Sequence, residues 1–124
     1  MSTPLKIYFL DDEEKISELL KDSLDSSRYE LTINSNPLEV LEMIHTRLDD
    51  FDVFVTDHMM PQILGTELIE KIKEIRPLFP VVLATGHTSR ELERYLEKCQ
   101  YQKFALLTKP YRKEHFIETI KRVI

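Results

Sequence analysis

Asp52-Val53-Phe54-Val55-Thr56-Asp57-His58-Met59-Met60-Pro61-Gln62-Ile63-Leu64-Gly65 begins as an almost unbroken apolar run and stops at a carboxylate. Such a run, without polar alternation, reads as a strand covered by helices on both faces, the pattern of a parallel sheet. Three more runs share this grammar. Leu5-Lys6-Ile7-Tyr8-Phe9-Leu10 stops at Asp11-Asp12, Val81-Val82-Leu83-Ala84 stops at Thr85, and Phe104-Ala105-Leu106-Leu107-Thr108 stops at Lys109-Pro110. In a parallel sheet the carboxyl ends of all strands lie along one edge. Asp11, Asp12, Asp57, Thr85 and Lys109 are therefore expected at one corner, although most of the chain separates the first from the last.

Between these runs lie helical patterns, so strand and helix alternate five times. The first helix is expected over about residues 13–25 with Ile16, Leu19, Leu20 and Leu24 inward, and the second over 37–48. The second has Asn36 as cap, Pro37 at the first helical position and Glu39 three residues after the cap. A third helix covers 65–76. The fourth opens on the capping-box pattern Thr88-Ser89-Arg90-Glu91 and carries Leu92, Tyr95, Leu96 and Cys99 on one face. In the fifth, Phe116, Ile117, Ile120, Val123 and Ile124 recur at the same spacing. Tyr29-Glu30-Leu31-Thr32-Ile33 alternates polar with apolar, as a half-exposed edge strand does. The fold class is thus α/β, a doubly wound five-stranded parallel sheet in the order 2-1-3-4-5 with five helices. Its topological switch point falls between strands one and three, which end at Asp11, Asp12 and Asp57.

Residues 1–124 read as a single domain, large enough for one continuous core and too small for a second, with no effector module expected. With 17 basic and 22 acidic residues the net charge is −5, which gives no electrostatic footprint for direct nucleic-acid binding. Protein and metal partners fit better. Cys99 is the single cysteine, so no intrachain disulfide forms, and the sequence offers neither a signal-peptide pattern nor an apolar stretch long enough for membrane insertion. A cytoplasmic setting is expected.

These residues, in this order, give the chain a specific resemblance. The acidic pair, then Asp57 followed by Met60-Pro61 and Gly65, then Thr85, then Lys109-Pro110 resemble a response-regulator receiver domain of two-component signalling over essentially the whole length. The resemblance implies a phosphoacceptor that takes a phosphoryl group on Asp57 from a histidine kinase or histidine phosphotransfer protein and then changes its docking face for a downstream protein target. It implies no more enzymatic activity than its own phosphorylation and dephosphorylation. By the same resemblance Asp12, Asp57 and the backbone carbonyl of Met59 would bind Mg²⁺, Asp11 would act through a metal-bound water, and Lys109 and Thr85 would meet phosphoryl oxygens. The Lys109-Pro110 peptide would be cis.

The residue types suit that chemistry. A carboxylate approaching a phosphoryl group must overcome repulsion between anions, so positioning and charge neutralisation dominate. Two carboxylates, a carbonyl and water suit the octahedral oxygen preference of Mg²⁺. Without metal the clustered carboxylates repel one another, and at least one is expected to hold its proton to higher pH.

Blander readings exist for each part. Adjacent acids at a strand-to-helix junction often serve only as helix caps, and a Lys-Pro or a strand-end Thr is commonly just loop. The two glycines, Gly65 and Gly86, both fall beside the proposed corner, where Gly86 either leaves room for a phosphoryl group or supplies a positive-φ turn. His45 and His115 lack metal-ligand spacing, whereas His58 and His87 lie near the corner. By resemblance, Met59 and His87 occupy positions that set phosphoryl lifetime, and apolar Met59 offers nothing to orient an attacking water, so the phosphorylated form is expected to be long-lived. One departure stands out. Three residues before Lys109 the family commonly has Tyr or Phe, and this chain has Leu106, so switching is weaker or carried otherwise. Two alternatives follow: a receiver-like interaction module independent of phosphorylation, and an aspartate-nucleophile phosphohydrolase, which lacks here the Asp-x-Asp spacing it needs.

Overall fold

The computed structural model describes residues 3–124. In chain order the elements are β1 (Leu5–Leu10), α1 (Glu14–Ser23), β2 (Tyr29–Asn34), α2 (Pro37–Thr46), β3 (Val53–Asp57), α3 (Gly65–Ile75), β4 (Val81–Thr85), α4 (Arg90–Lys98), β5 (Phe104–Thr108) and α5 (Lys113–Val123). All five strands pair in parallel in the order β2-β1-β3-β4-β5, with β2 at an edge as its alternation requires.

Strand alternation divides the apolar residues between two cores. Tyr8, Leu10, Phe54, Val81 and Leu83 pack with Val40, Met43, Ile44, Leu68, Ile69, Ile72 and Leu92 of α2, α3 and α4. Ile7, Phe9, Val53, Val55, Val82 and Ala84 point to the other face, against Leu20 of α1 and Phe116, Ile120 and Val123 of α5. Burying each of the Val, Leu, Ile, Phe and Met side chains among them contributes roughly 1.5–3 kcal/mol. Because both faces are covered, β3 and β4 are buried along their whole length. The sheet is a rigid floor for whatever leaves its carboxyl edge.

Four local expectations are corrected. In α1 the inward row is Ser17, Leu20 and Leu24, while Ile16 and Leu19 are 54% and 71% exposed. The helix is rotated by about one residue from the apolar stripe, because Ser17 is drawn in by a carboxylate of the site. At α4 the cap is Ser89, whose side chain accepts the Leu92 N–H, rather than Thr88. In α2 Asn36 does accept the Leu38 N–H, but Glu39 does not reach back to it; Glu39 accepts from the Asn34 side chain, whose Oδ1 takes the Asn36 N–H instead. In α5 Ile124, expected in the inward row, is exposed past the helix end, and Thr119, which the apolar spacing did not include, is buried.

Candidate functional site

The strand register builds the corner. Leu10 lies opposite Thr56, so the next residues, Asp11 and Asp57, leave neighbouring strands side by side. Asp57 lies opposite Ala84, which puts Thr85 one step beyond, and Thr85 lies opposite Thr108, which puts Lys109 one step beyond that. The Lys109 N–H donates to the Thr85 carbonyl at 2.9 Å and so ties the last two together. The Lys109-Pro110 peptide is cis.

Carboxylate oxygens of Asp11, Asp12 and Asp57 all come within 4.8 Å of one another. Asp12 is exposed, whereas Asp11 and Asp57 are buried, Asp57 being only 3% exposed. Asp11 is satisfied locally: Oδ2 accepts from the Ser17 hydroxyl at 2.7 Å, and Oδ1 accepts from the Glu13 N–H at 2.9 Å. It does not cap α1, whose cap position is Glu13 with no side-chain cap bond. Neither buried Asp57 oxygen has a well-formed hydrogen bond, although Lys109 Nζ stands 2.6 Å from Oδ1 as an ion pair. A buried carboxylate met by a single ammonium, with two further aspartates beside it, is where a hard cation with oxygen preference fits. Among the described residues this is the one acidic or histidine cluster with such geometry.

Electrostatics separate the two buried acids. Burial, reinforced by the neighbouring Asp11, pushes Asp57 up to about 8 despite the Lys109 ammonium. Burial acts on Asp11 in the same sense, but its contacts with Asp57, Ser17 and the Glu13 N–H outweigh it and hold Asp11 below the ordinary carboxylate range. Burial opposes the charge on Lys109, and the Asp57 contact more than reverses that, so its ammonium is held more firmly than usual. Of the clustered acids it is therefore Asp57 on which proton retention is expected to fall, burial being the main cause.

Thr85 is buried, and its hydroxyl donates to the His87 carbonyl at 2.7 Å while accepting the His87 N–H at 3.2 Å. Leu106 is half-buried against the α2, α3 and α4 core. Met59 is 67% exposed at the rim. Gly65 is needed for close approach: a Cβ there would lie 2.2 Å from the Asp57 carbonyl oxygen. Gly86 shows no such need, since a Cβ would meet only Lys109 Cβ at 3.7 Å, and neither glycine has positive φ. Its turn reading is thus corrected. His58 is buried with an unpartnered Nδ1, and burial lowers its pKa; His45, His87 and His115 are exposed.

Two side chains at the corner escaped the sequence reading. Ser17 touches Asp11 directly, and Tyr111 lies in the field of Asp11 and Asp57 with its hydroxyl held protonated above the ordinary range by burial and those charges. The available signal for the first was its spacing, three residues before Leu20 and seven before Leu24, in a helix beginning just after an acidic strand end.

The model of the response regulator receiver domain family matches residues 7–121. The DNA-binding transcriptional regulator NtrC of Escherichia coli strain K12 is 28% identical over 118 residues, 95% of this chain and 24% of that protein. The polar-differentiation response regulator DivK of Brucella anthropi is 27% identical over 122 residues, covering 95% of this chain and 94% of DivK. The crystal structure of a CheY-like receiver domain protein from Methanospirillum hungatei JF-1 superposes with a TM-score of 0.80 at 28% identity, over 95% of this chain and 91% of that one. The chain thus spans about a quarter of the length of NtrC and nearly all of DivK. With the sheet order, the acidic corner and these matches together, the chain belongs to the response regulator receiver domain family.

Proposed function

We propose that residues 1–124 act as one receiver unit whose phosphoacceptor is Asp57. The observation that carries this reading is the buried, donor-poor Asp57 carboxylate with Lys109 Nζ 2.6 Å from Oδ1 and two further aspartates beside it. An oxygen of Asp57 attacks the phosphorus of a phosphohistidine on a histidine kinase or histidine phosphotransfer protein. The P–N bond breaks, the imidazole leaves with a proton taken from solvent, and an acyl phosphate remains on Asp57. Lys109 follows the charge from the carboxylate oxygen to a phosphoryl oxygen, a short move for an ammonium on a flexible stem.

Asp11, Asp12, Asp57 and the Met59 carbonyl would hold Mg²⁺, which when bound neutralises the negative charge gathered between the aspartates and the phosphoryl oxygens. Asp11 holds its place through Ser17 and Glu13 while Asp57 reacts. Thr85 exchanges its bond to the His87 carbonyl for one to phosphate, which frees the loop after β4 to move. Ile16, beside Asp11 and Lys109, and Leu19, further along α1, are both exposed and suit an apolar surface on the partner carrying the donor histidine. Output passes to a downstream protein in the cytoplasm; no described helix is long and apolar enough to cross a membrane. The phosphorylation-independent module is the weaker reading, because docking alone requires neither a buried acid nor its lysine. A phosphohydrolase reading gives way to the family, whose domains are signalling modules.

The test is to incubate the protein with Mg²⁺ and acetyl phosphate and weigh it intact beside Asp57→Asn. A gain of one phosphoryl mass in the parent alone is expected. No gain in the parent, or an equal gain in both, removes the assignment.

A further inference from the structure

We propose that Ser17 is a positioning residue for Asp11, fixing the carboxylate orientation on which cation binding at this corner depends. The inference rests on the reading of Asp11 as a member of the cation site. Ser17 is 0% exposed, and its Oγ lies 2.7 Å from Asp11 Oδ2. A buried helical serine ordinarily bonds back to the carbonyl four residues earlier, here Glu13. That contact is 3.4 Å. Both the shorter distance and the charge of the acceptor select Asp11, since hydrogen bonds to an ionised oxygen are the stronger kind.

With the Glu13 N–H on Oδ1 and the Ser17 hydroxyl on Oδ2, the carboxylate cannot turn about its Cβ–Cγ bond without losing a donor. Asp11 is buried, so water does not readily replace a donor that is lost. The lone pairs not engaged by Ser17 and Glu13 are therefore fixed in direction. Partners of this kind, one step removed from a cation, commonly account for tenfold to hundredfold in metal affinity. The same bond explains why Ser17, and not the apolar Ile16, occupies the inward row of α1.

The competing explanation is packing alone: a small side chain fills the space under α1, and its hydroxyl is incidental. Ser17→Cys separates the two, because the thiol fills the site but is a weak donor, whereas Ser17→Thr keeps the hydroxyl. Mg²⁺ is titrated calorimetrically into the metal-free parent and into Ser17→Ala, Ser17→Cys and Ser17→Thr, with folding followed by urea denaturation. Affinity is expected to fall about tenfold in the Ala and Cys variants and to stay near the parental value in Thr. In an Asp11→Asn background, Ser17→Ala is expected to add little further loss, since the group it orients is already altered. Parental affinity in a folded Ala or Cys variant overturns the proposal, as do equal losses with and without Asp11. If Ser17→Ala does not fold, Ser17→Cys decides. A parent that takes up no Mg²⁺ is a different failure: it removes the cation site itself, and this role with it.

Discussion

Lys109 Nζ stands 2.6 Å from Asp57 Oδ1, yet the pair does not keep Asp57 ionised in the metal-free protein. Burial and the adjacent Asp11 outweigh the ammonium, and the proton stays on Asp57 up to about 8. In the unfolded chain the same carboxyl releases its proton near the ordinary value of 3.8. Between these two values the folded state binds one more proton than the unfolded state, so stability falls as pH rises. Asp11, held low, acts in the opposite sense, and its contribution is lost only in acid. The expected outcome is a metal-free protein that loses a few kcal/mol between about pH 5 and about pH 8, measured by urea denaturation with a chelator present. Asp57→Asn flattens that dependence and is the more stable protein at the alkaline end. A parent whose stability rises over this interval contradicts the assignment of the proton to Asp57.

Cation uptake should release the same proton. Ligand carboxylates must be deprotonated, so Mg²⁺ competes with hydrogen ion for Asp57. Apparent Mg²⁺ affinity is expected to climb with pH until about 8 and then level off, with close to one proton released per ion in neutral buffer. Calorimetry in two buffers of different ionisation enthalpy reads the proton count. In Asp57→Asn the count should drop to near zero.

Gly65 admits no side chain, because a Cβ would sit 2.2 Å from the Asp57 carbonyl oxygen and 2.9 Å from Leu83 Cδ1. The Asp57 carbonyl also accepts from the Thr56 hydroxyl at 2.9 Å, so it has little freedom to retreat. Gly65→Ala should therefore push α3 away from the strand end, destabilising the protein by about 1–3 kcal/mol and slowing acetyl phosphate labelling of Asp57. Gly86→Ala, with only an ordinary 3.7 Å contact, should be much milder in stability. Urea midpoints for the pair give the comparison.

Met59 is exposed at the rim and carries no group able to align water against an acyl phosphate. Met59→Asn places an amide there and is expected to shorten the lifetime of the phosphorylated protein severalfold, with its folding unaffected because the side chain is already in solvent. Intact mass followed over time after removal of the phosphodonor measures it. An unchanged decay would remove the claim that this position sets the lifetime.

The sheet and its corner were legible because they are written in local grammar. An apolar run that ends in Asp, Thr or Lys says both where a strand stops and what it presents, and parallel register then brings Asp11, Asp57, Thr85 and Lys109 together without further information. What the sequence did not disclose depends on rotation and on distant carbonyls. The apolar stripe of α1 placed Ile16 and Leu19 inward, since hydropathy cannot see that a serine bonded to Asp11 outranks them. Asn36 is recognisable as a cap, but the diversion of Glu39 to Asn34 depends on where β2 ends, which no short motif encodes. The leucine at 106 marks a missing aromatic, and nothing in the linear order shows that Glu70 instead holds the Tyr101 hydroxyl between α3 and the segment before β5.

Lys73 is the clearest case of such hidden structure and supports the last prediction. In sequence it is one of many lysines on a charged helix, yet it is buried, and its Nζ donates to the carbonyls of Pro77 at 3.1 Å, Phe79 at 2.8 Å and Gln102 at 2.8 Å. Burial lowers its pKa. The ammonium gathers the end of α3, the approach to β4 and the approach to β5 at one point, on the side of the sheet remote from the carboxyl edge. Lys73→Met keeps the length and apolar stem but leaves three carbonyls short of a donor, two of them at close range. Each lost bond to a charged donor is worth about 1.5–3 kcal/mol before relaxation, and water can recover part of it. The variant should lose about 2–4 kcal/mol by urea denaturation while, once folded, still accepting phosphate on Asp57, because the anchor and the acceptor lie at opposite ends of the strands. A parental urea midpoint in Lys73→Met would show that the three carbonyls are satisfied by solvent and that the lysine is not an anchor.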